Sequence, residues 1–113
     1  MRAFVLAVAL ASLCTPALAA RMLFWNLTTV TISSLTLARA GTQQWGPNQC
    51  ENDPDGAVDP DERLQLTDVA PGAYDVQLTD KSGRTCTVRN VKVQTDRPYA
   101  FSLGDRDLTE CRR

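Results

Sequence analysis

The chain has 113 residues, 12 basic and 13 acidic side chains, four cysteines and no histidine. A balance this close to neutral excludes the electrostatic footprint of a nucleic-acid binder. Without histidine there is no Ser-His or Cys-His nucleophile pair and no histidine-ligated zinc; the cysteines also lack zinc-ligand spacing, so no enzymatic activity is expected.

Met1-Arg2, the apolar run 3–13 and the small-residue segment Ala17-Leu18-Ala19-Ala20 have the three parts of a secretory signal peptide. The run is too short for a membrane span. Ala17 and Ala19 fit the cleavage rule, which places the cut after Ala19. Cys14 follows Leu13 rather than the small residue that a lipidation signal needs. The expected product is a single domain of residues 20–113, periplasmic or secreted, with no membrane span once the signal is removed. Its 94 residues carry a balance of −2, because the signal takes away Arg2 and no acid. A chain this short buries only about 60–65% of its unfolded surface, so a disulfide or an ion would add usefully to a thin core.

Residues 21–28 concentrate large apolar side chains and predict a first strand. Residues 30–38 predict a second, with Val30 and Ile32 on one parity and Leu35 and Leu37 on the other, hence a kink at Ser33-Ser34. Asn26-Leu27-Thr28 has the form of a glycosylation acceptor and is read as coincidence. Residues 41–47 form a connection, with Trp45 expected to fold over an open end of the domain as a core aromatic; facing a ligand is its alternative role.

Six of the thirteen acids fall within residues 51–62. Beyond them, Leu64 and Leu66, then Tyr74, Val76 and Leu78, alternate with polar residues on either side of Pro71-Gly72, which suits an antiparallel hairpin. Lys81-Ser82-Gly83-Arg84 is a second hairpin connection. It leads to Cys86 and Val88 on one parity and Val91 and Val93 on the other, so a bulge is expected at Arg89-Asn90. Tyr99, Phe101 and Leu103 complete a β-meander that Gly104 ends. The sum is an all-β, immunoglobulin-like antiparallel two-sheet sandwich of six or seven strands.

The mature chain keeps Cys50, Cys86 and Cys111, an odd number in an oxidising compartment. A hairpin of Val91–Val93 with residues 99–103, closed near Asp96, would return the tail alongside Cys86. Cys86–Cys111 is then the favoured bridge, contributing about 3 kcal/mol. Cys50 is left buried, paired with another molecule, or bridged in an alternative pattern.

The order of Asn-x-Thr ending a strand, the turn Trp45-Gly46-Pro47 and the hairpin Pro71-Gly72-Ala73-Tyr74-Asp75-Val76 resembles a group of small secreted bacterial β-domains of unestablished function. The Pro-Gly-x-Tyr hairpin also resembles carboxypeptidase regulatory-like and transthyretin-like sandwiches, which implies an accessory or interaction module. Residues 51–62 resemble the twelve-residue calcium loop of the EF-hand. That resemblance implies ligands at Glu51, Asp53, Asp55, the Ala57 carbonyl, Asp59 and Glu62, with Gly56 at the sharp turn and Val58 at the apolar eighth position. Two features depart from the pattern: Glu51 stands where the family has Asp, and neither flank is helical.

Asp75, Asp80, Asp105 and Asp107 offer carboxylates, but six short strands leave little room for a catalytic cleft. The function expected is a non-catalytic binding or interaction module without cofactor, engaging an unknown protein or cell-envelope partner through a sheet face, an edge such as residues 99–103, or the loops around Trp45. The alternative is a β-domain that binds calcium, a lanthanide or another hard cation through residues 51–62.

Overall fold

Alternating apolar residues along seven short segments generate two β-sheets that pack face to face. The computed structural model describes residues 22–113; the expected signal peptide falls on 1–19, outside them. The strands are β1 (Leu23–Leu27), β2 (Ile32–Arg39), β3 (Arg63–Gln65), β4 (Gly72–Asp80), β5 (Thr85–Val93), β6 (Phe101–Gly104) and β7 (Glu110–Arg112). A three-stranded sheet has the order β3-β1-β6 and a four-stranded sheet the order β2-β4-β5-β7. The expected sandwich therefore stands, with one departure from antiparallel pairing: β6 lies parallel to β1.

Phe24, Ile32, Leu35, Val58, Leu64, Val76 and Leu78 fill the space between the sheets and are sealed from solvent. Phe24 and Phe101 stack with ring centroids 4.9 Å apart. Each such side chain contributes about 1.5–3 kcal/mol. The Cys86–Cys111 bridge joins β5 to β7 across 25 residues, as expected, and at about 3 kcal/mol is worth one or two core residues. Cys50 is fully buried and free.

Both anticipated irregularities exist. The β2–β4 register shifts between Ile32 and Ser34, and the extra residue Ser33 donates its hydroxyl to the Thr79 carbonyl at 3.1 Å. In β5, Tyr74 faces Val91 and Val76 faces Val88, so Arg89 and Asn90 include the additional residue of a bulge, with Asn90 at φ 56°. The Asp75 carboxylate accepts the Asn90 amide at 3.0 Å and the Gly41 amide at 3.0 Å.

Two expected pairings are corrected. β3 and β4 do not form a hairpin across Pro71-Gly72, because they belong to different sheets. Buried Gln49 holds the backbone of Thr67 from both sides, accepting its amide at 3.0 Å and donating to its carbonyl at 3.2 Å. The chain is thereby tied to the preceding 3-10 turn, Gln49–Asn52, and crosses to the other sheet before Pro71. Likewise β5 and β6 are not a hairpin. Gln94 donates to Ala100, closing that loop, while the Ala100 amide turns to Leu23 and delivers β6 to β1. The meander thus reduces to one hairpin, β4–β5.

Asn26 is sealed inside the β1–β2 turn. Its amide group donates to the carbonyls of Val30 and Val58, each at 3.0 Å, and its oxygen accepts the Thr28 amide at 3.0 Å and the Thr28 hydroxyl at 2.6 Å. The Asn-x-Thr sequence is therefore a structural knot. Asn26→Ala leaves two carbonyls without that donor, and the expected loss is roughly 3 kcal/mol, measured by denaturant unfolding.

Asp75 and Asp80 are both nearly inaccessible. The amides of Gly41 and Asn90 hold the Asp75 carboxyl below its ordinary range, and the Ser82 hydroxyl, 2.6 Å away, does the same for Asp80. A depressed folded pKa gives stability that is present above the unfolded value near 4 and disappears as pH falls through the lower folded value. Stability should therefore drop below about pH 4, and Asp75→Asn should flatten that limb; Tm measured against pH is the check.

Candidate functional site

Residues 51–62 wind into two separate turns. Gly56 donates to the Asp53 carbonyl at 2.9 Å and Glu62 to the Asp59 carbonyl at 3.0 Å. Between them Val58 enters the core and bridges Ile32 through reciprocal backbone bonds of 2.9 and 2.8 Å. Each turn uses its own carboxylates. Asp53 accepts the Asp55 amide at 2.8 Å, Glu62 accepts the Asp59 amide at 3.0 Å, and Asp59 accepts the Thr31 hydroxyl at 2.9 Å. Glu51 sits exposed in the 3-10 turn, Asp55 is exposed and Ala57 is half-buried. Among the described residues no three His, Cys, Asp or Glu side chains gather closely enough to hold a metal.

The four isolated carboxylates are occupied in the same way. Beyond Asp75 and Asp80, Asp105 accepts the Thr29 amide at 2.9 Å and Asp107 accepts the Gly104 amide at 2.8 Å. Burial, reinforced by Asp53, pushes the Cys50 thiol up to about 11, so its nucleophilic thiolate is suppressed.

Two surface sites with aromatic side chains remain, a half-buried Trp25–Tyr99 cluster and the exposed Trp45, one on each sheet. On the outer face of the three-stranded sheet, Trp25 and Tyr99 pack with centroids 4.8 Å apart, and the Arg63 guanidinium lies 4.7 Å from the Trp25 ring. Their polar atoms are engaged: Trp25 donates to Asp61 at 3.0 Å, and Arg63 donates to Tyr99 at 3.3 Å and to the Asp61 carbonyl at 3.0 Å. A groove of about 430 Å³ adjoins them beside β6. A wider groove of about 630 Å³, around Pro71, Ala73 and Val93, has no aromatic wall.

The second site surrounds Trp45, which is 36% exposed. It is not a core aromatic and does not close an end of the sandwich; it stands beside the outer face of the four-stranded sheet. Its loop is anchored at both ends. Thr42 donates its amide to Arg39 at 3.0 Å and its hydroxyl to the same carbonyl at 2.8 Å, while Gly46 donates to Leu37 at 2.9 Å. A Cβ on Gly46 would sit 3.3 Å from the Leu37 carbonyl oxygen, so the chain approaches β2 more closely there than most side chains allow. Gln43 adopts φ 55°, sparsely populated for a residue with a Cβ.

With Gln77 and Thr87 from the central strands, Arg89 at the bulge and Arg112 from β7, this loop encloses about 400 Å³, the low end of the small-ligand range of roughly 300–1,000 Å³. Arg89 is held by Glu110 through two bonds of 2.9 and 2.8 Å. Among the described residues, the side chains of Gln43, Gln77, Thr87 and Arg112 make no hydrogen bond with another group of the chain. A smaller cavity of about 180 Å³ shares Thr87, Arg89 and Arg112 and prolongs the groove along β5 and β7. Trp45 was legible in the sequence as an aromatic on a connection; its polar neighbours carried no local signal, because three strands must pair before they meet.

No protein-family model, no curated protein and no solved structure matches this chain. No helix among the described residues is long and apolar enough to cross a membrane.

Asp53, Asp59, Asp61 and Glu62 are each bonded within the protein and no three acids converge among the described residues, so millimolar calcium or a lanthanide should leave the Tm of residues 20–113 unchanged. A rise that disappears in the Asp55→Asn/Glu62→Gln variant would instead make the segment an ion site.

Proposed function

We propose that the chain is a periplasmic or secreted, non-catalytic binding module that takes a small polar ligand in the Trp45 groove. One observation carries this reading: an exposed tryptophan and four uncommitted hydrogen-bonding side chains converge on one concavity, whereas the polar groups of the Trp25 cluster are bonded within the protein. Binding sites combine an apolar wall with a few placed polar groups, because the wall supplies burial and the polar groups supply orientation. The disulfide and the N-terminal segment support an oxidising compartment. Absence of histidine, committed carboxylates and a suppressed thiol support binding without turnover.

The two tryptophans allow the groove to be read separately from the rest of the surface. In a titration with monosaccharides, nucleosides and free amino acids followed by NMR, the Trp45 indole N–H should shift while that of Trp25 stays fixed. Trp45→Ala should abolish the remaining shifts around Gln77 and Thr87 and leave Tm unchanged, since the ring is not in the core. Shifts centred on Trp25 and Tyr99, or none from any class, would refute the assignment.

A further inference from the structure

We infer that the Trp45 groove selects an acidic saccharide, a pyranose bearing a carboxylate; this rests on the groove being the ligand site. A pyranose ring presents a face of C–H bonds ringed by hydroxyls. The face matches an exposed indole, where apolar area is buried without displacing a hydrogen bond. The rim needs donors and acceptors in the plane around the ring. Gln43 and Gln77 each offer both through their amides, and Thr87 through its hydroxyl.

Charge then discriminates among sugars. Two guanidinium groups line the groove against one carboxylate, and the three are not equivalent. Asp75 is buried with both oxygens occupied by backbone amides. Arg89 spends two of its five donors on Glu110, which fixes the plane of its guanidinium. Arg112 is exposed and has no ion pair or side-chain hydrogen bond among the described residues, although its backbone is held. It pairs with Thr85 across the β5–β7 ladder, next to the bridge at Cys111. An unpaired guanidinium rising from a held backbone at the far side of an aromatic platform can close on a carboxylate in bidentate fashion. The adjoining cavity beside Thr85 and Glu110 leaves space for a second ring, so an oligosaccharide carrying a uronate at Arg112 fits better than a monosaccharide.

The test uses residues 20–113 with a galacturonate trisaccharide, the corresponding neutral galactose trisaccharide and acetate, followed at the two indole N–H resonances. The acidic trisaccharide should shift Trp45 and bind about tenfold more tightly than the neutral one, the increment of a single charge-assisted contact. That preference should weaken with added salt, because the contact lies at the surface. Arg112→Gln should remove the preference while keeping the Trp45 shift, Arg112→Lys should restore part of it, and Trp45→Ala should abolish binding of both trisaccharides. Equal affinity for the two sugars would overturn the acidic selectivity while leaving the groove a binding site. Acetate acting at Arg112 with no sugar-dependent change at Trp45 would reduce the site to an anion contact and overturn the inference. No response to any of the three would also overturn it, and the broader ring-compound titration would then decide separately whether the groove binds at all.

Discussion

The carboxylate of Asp75 is the constraint on which the outer face of the four-stranded sheet depends. Asp75 points away from the core of β4, yet it is only 5% exposed, because two pieces of backbone close over it. One oxygen receives the Gly41 amide at the base of the Trp45 loop; the other receives the Asn90 amide within the β5 bulge. A carboxylate is purely an acceptor, so it can satisfy two converging N–H groups that an amide side chain would partly oppose. The same residue therefore fixes Trp45 on one flank of the groove and turns Arg89 toward Glu110 on the other. Gly41 and Asn90 are themselves exposed, so each bond is a charge-assisted hydrogen bond at the surface of the sheet rather than the rescue of a buried amide.

This pattern is general in the molecule. Carboxylates that a sequence reader weighs as catalytic or ion-binding are bonded to the backbone of turns: Asp53 and Glu62 in the acidic segment, Asp80 at the β4–β5 turn, Asp105 and Asp107 after β6. A domain of this size has many chain reversals for its length, and each exposes amides that a short acidic side chain can accept. Against that background, the uncommitted amides, hydroxyl and guanidinium around Trp45 stand apart. Gln77 and Thr87 remain free because they project from the middle of strands, where the backbone is already satisfied by the ladder; Gln43 stands in the loop and Arg112 at the end of β7.

Local features of the fold were legible and long-range ones were not. Parity switches at Ser33 and at Arg89-Asn90 announced both bulges, since a side chain's face is fixed by counting along one strand. The Lys81–Arg84 turn and the Cys86–Cys111 bridge followed from similarly short arguments, although the bridge was reached through a hairpin that does not exist. Pro71-Gly72 does not close a hairpin but bends the chain into the start of β4, and the grip of Gln49 on Thr67, 18 residues away, separates β3 from β4. The parallel placement of β6 against β1 likewise has no signature in either segment. In the acidic segment the spacing resembles a calcium loop, while the bridge from Val58 to Ile32, 26 residues away, carried no local signal. Trp45 was misplaced because large aromatics usually serve cores, whereas the anchors of its loop at Arg39, Asp75 and Leu37 hold this one outside.

The edges of both sheets offer little to strand addition. The outer edge of β2 is taken by the Gly46 amide on Leu37, the Asn48 side chain on the Leu35 amide and the backbone of Val58 on Ile32. Asn52 covers the Gln65 carbonyl of the three-residue β3. Beyond Thr87, where β7 stops, β5 is bulged and carries Lys92, a twist and a charge that both discourage a partner strand. β6 does lie at an edge, as anticipated, but it has four residues and its last amide is held by Asp107. Each edge is thus covered, shortened or bent, which suppresses indiscriminate pairing in a small β-protein. The disulfide completes the arrangement by fastening a β7 of only three residues to β5. Without that bridge the strand that carries Arg112 would be held by a short terminal ladder alone.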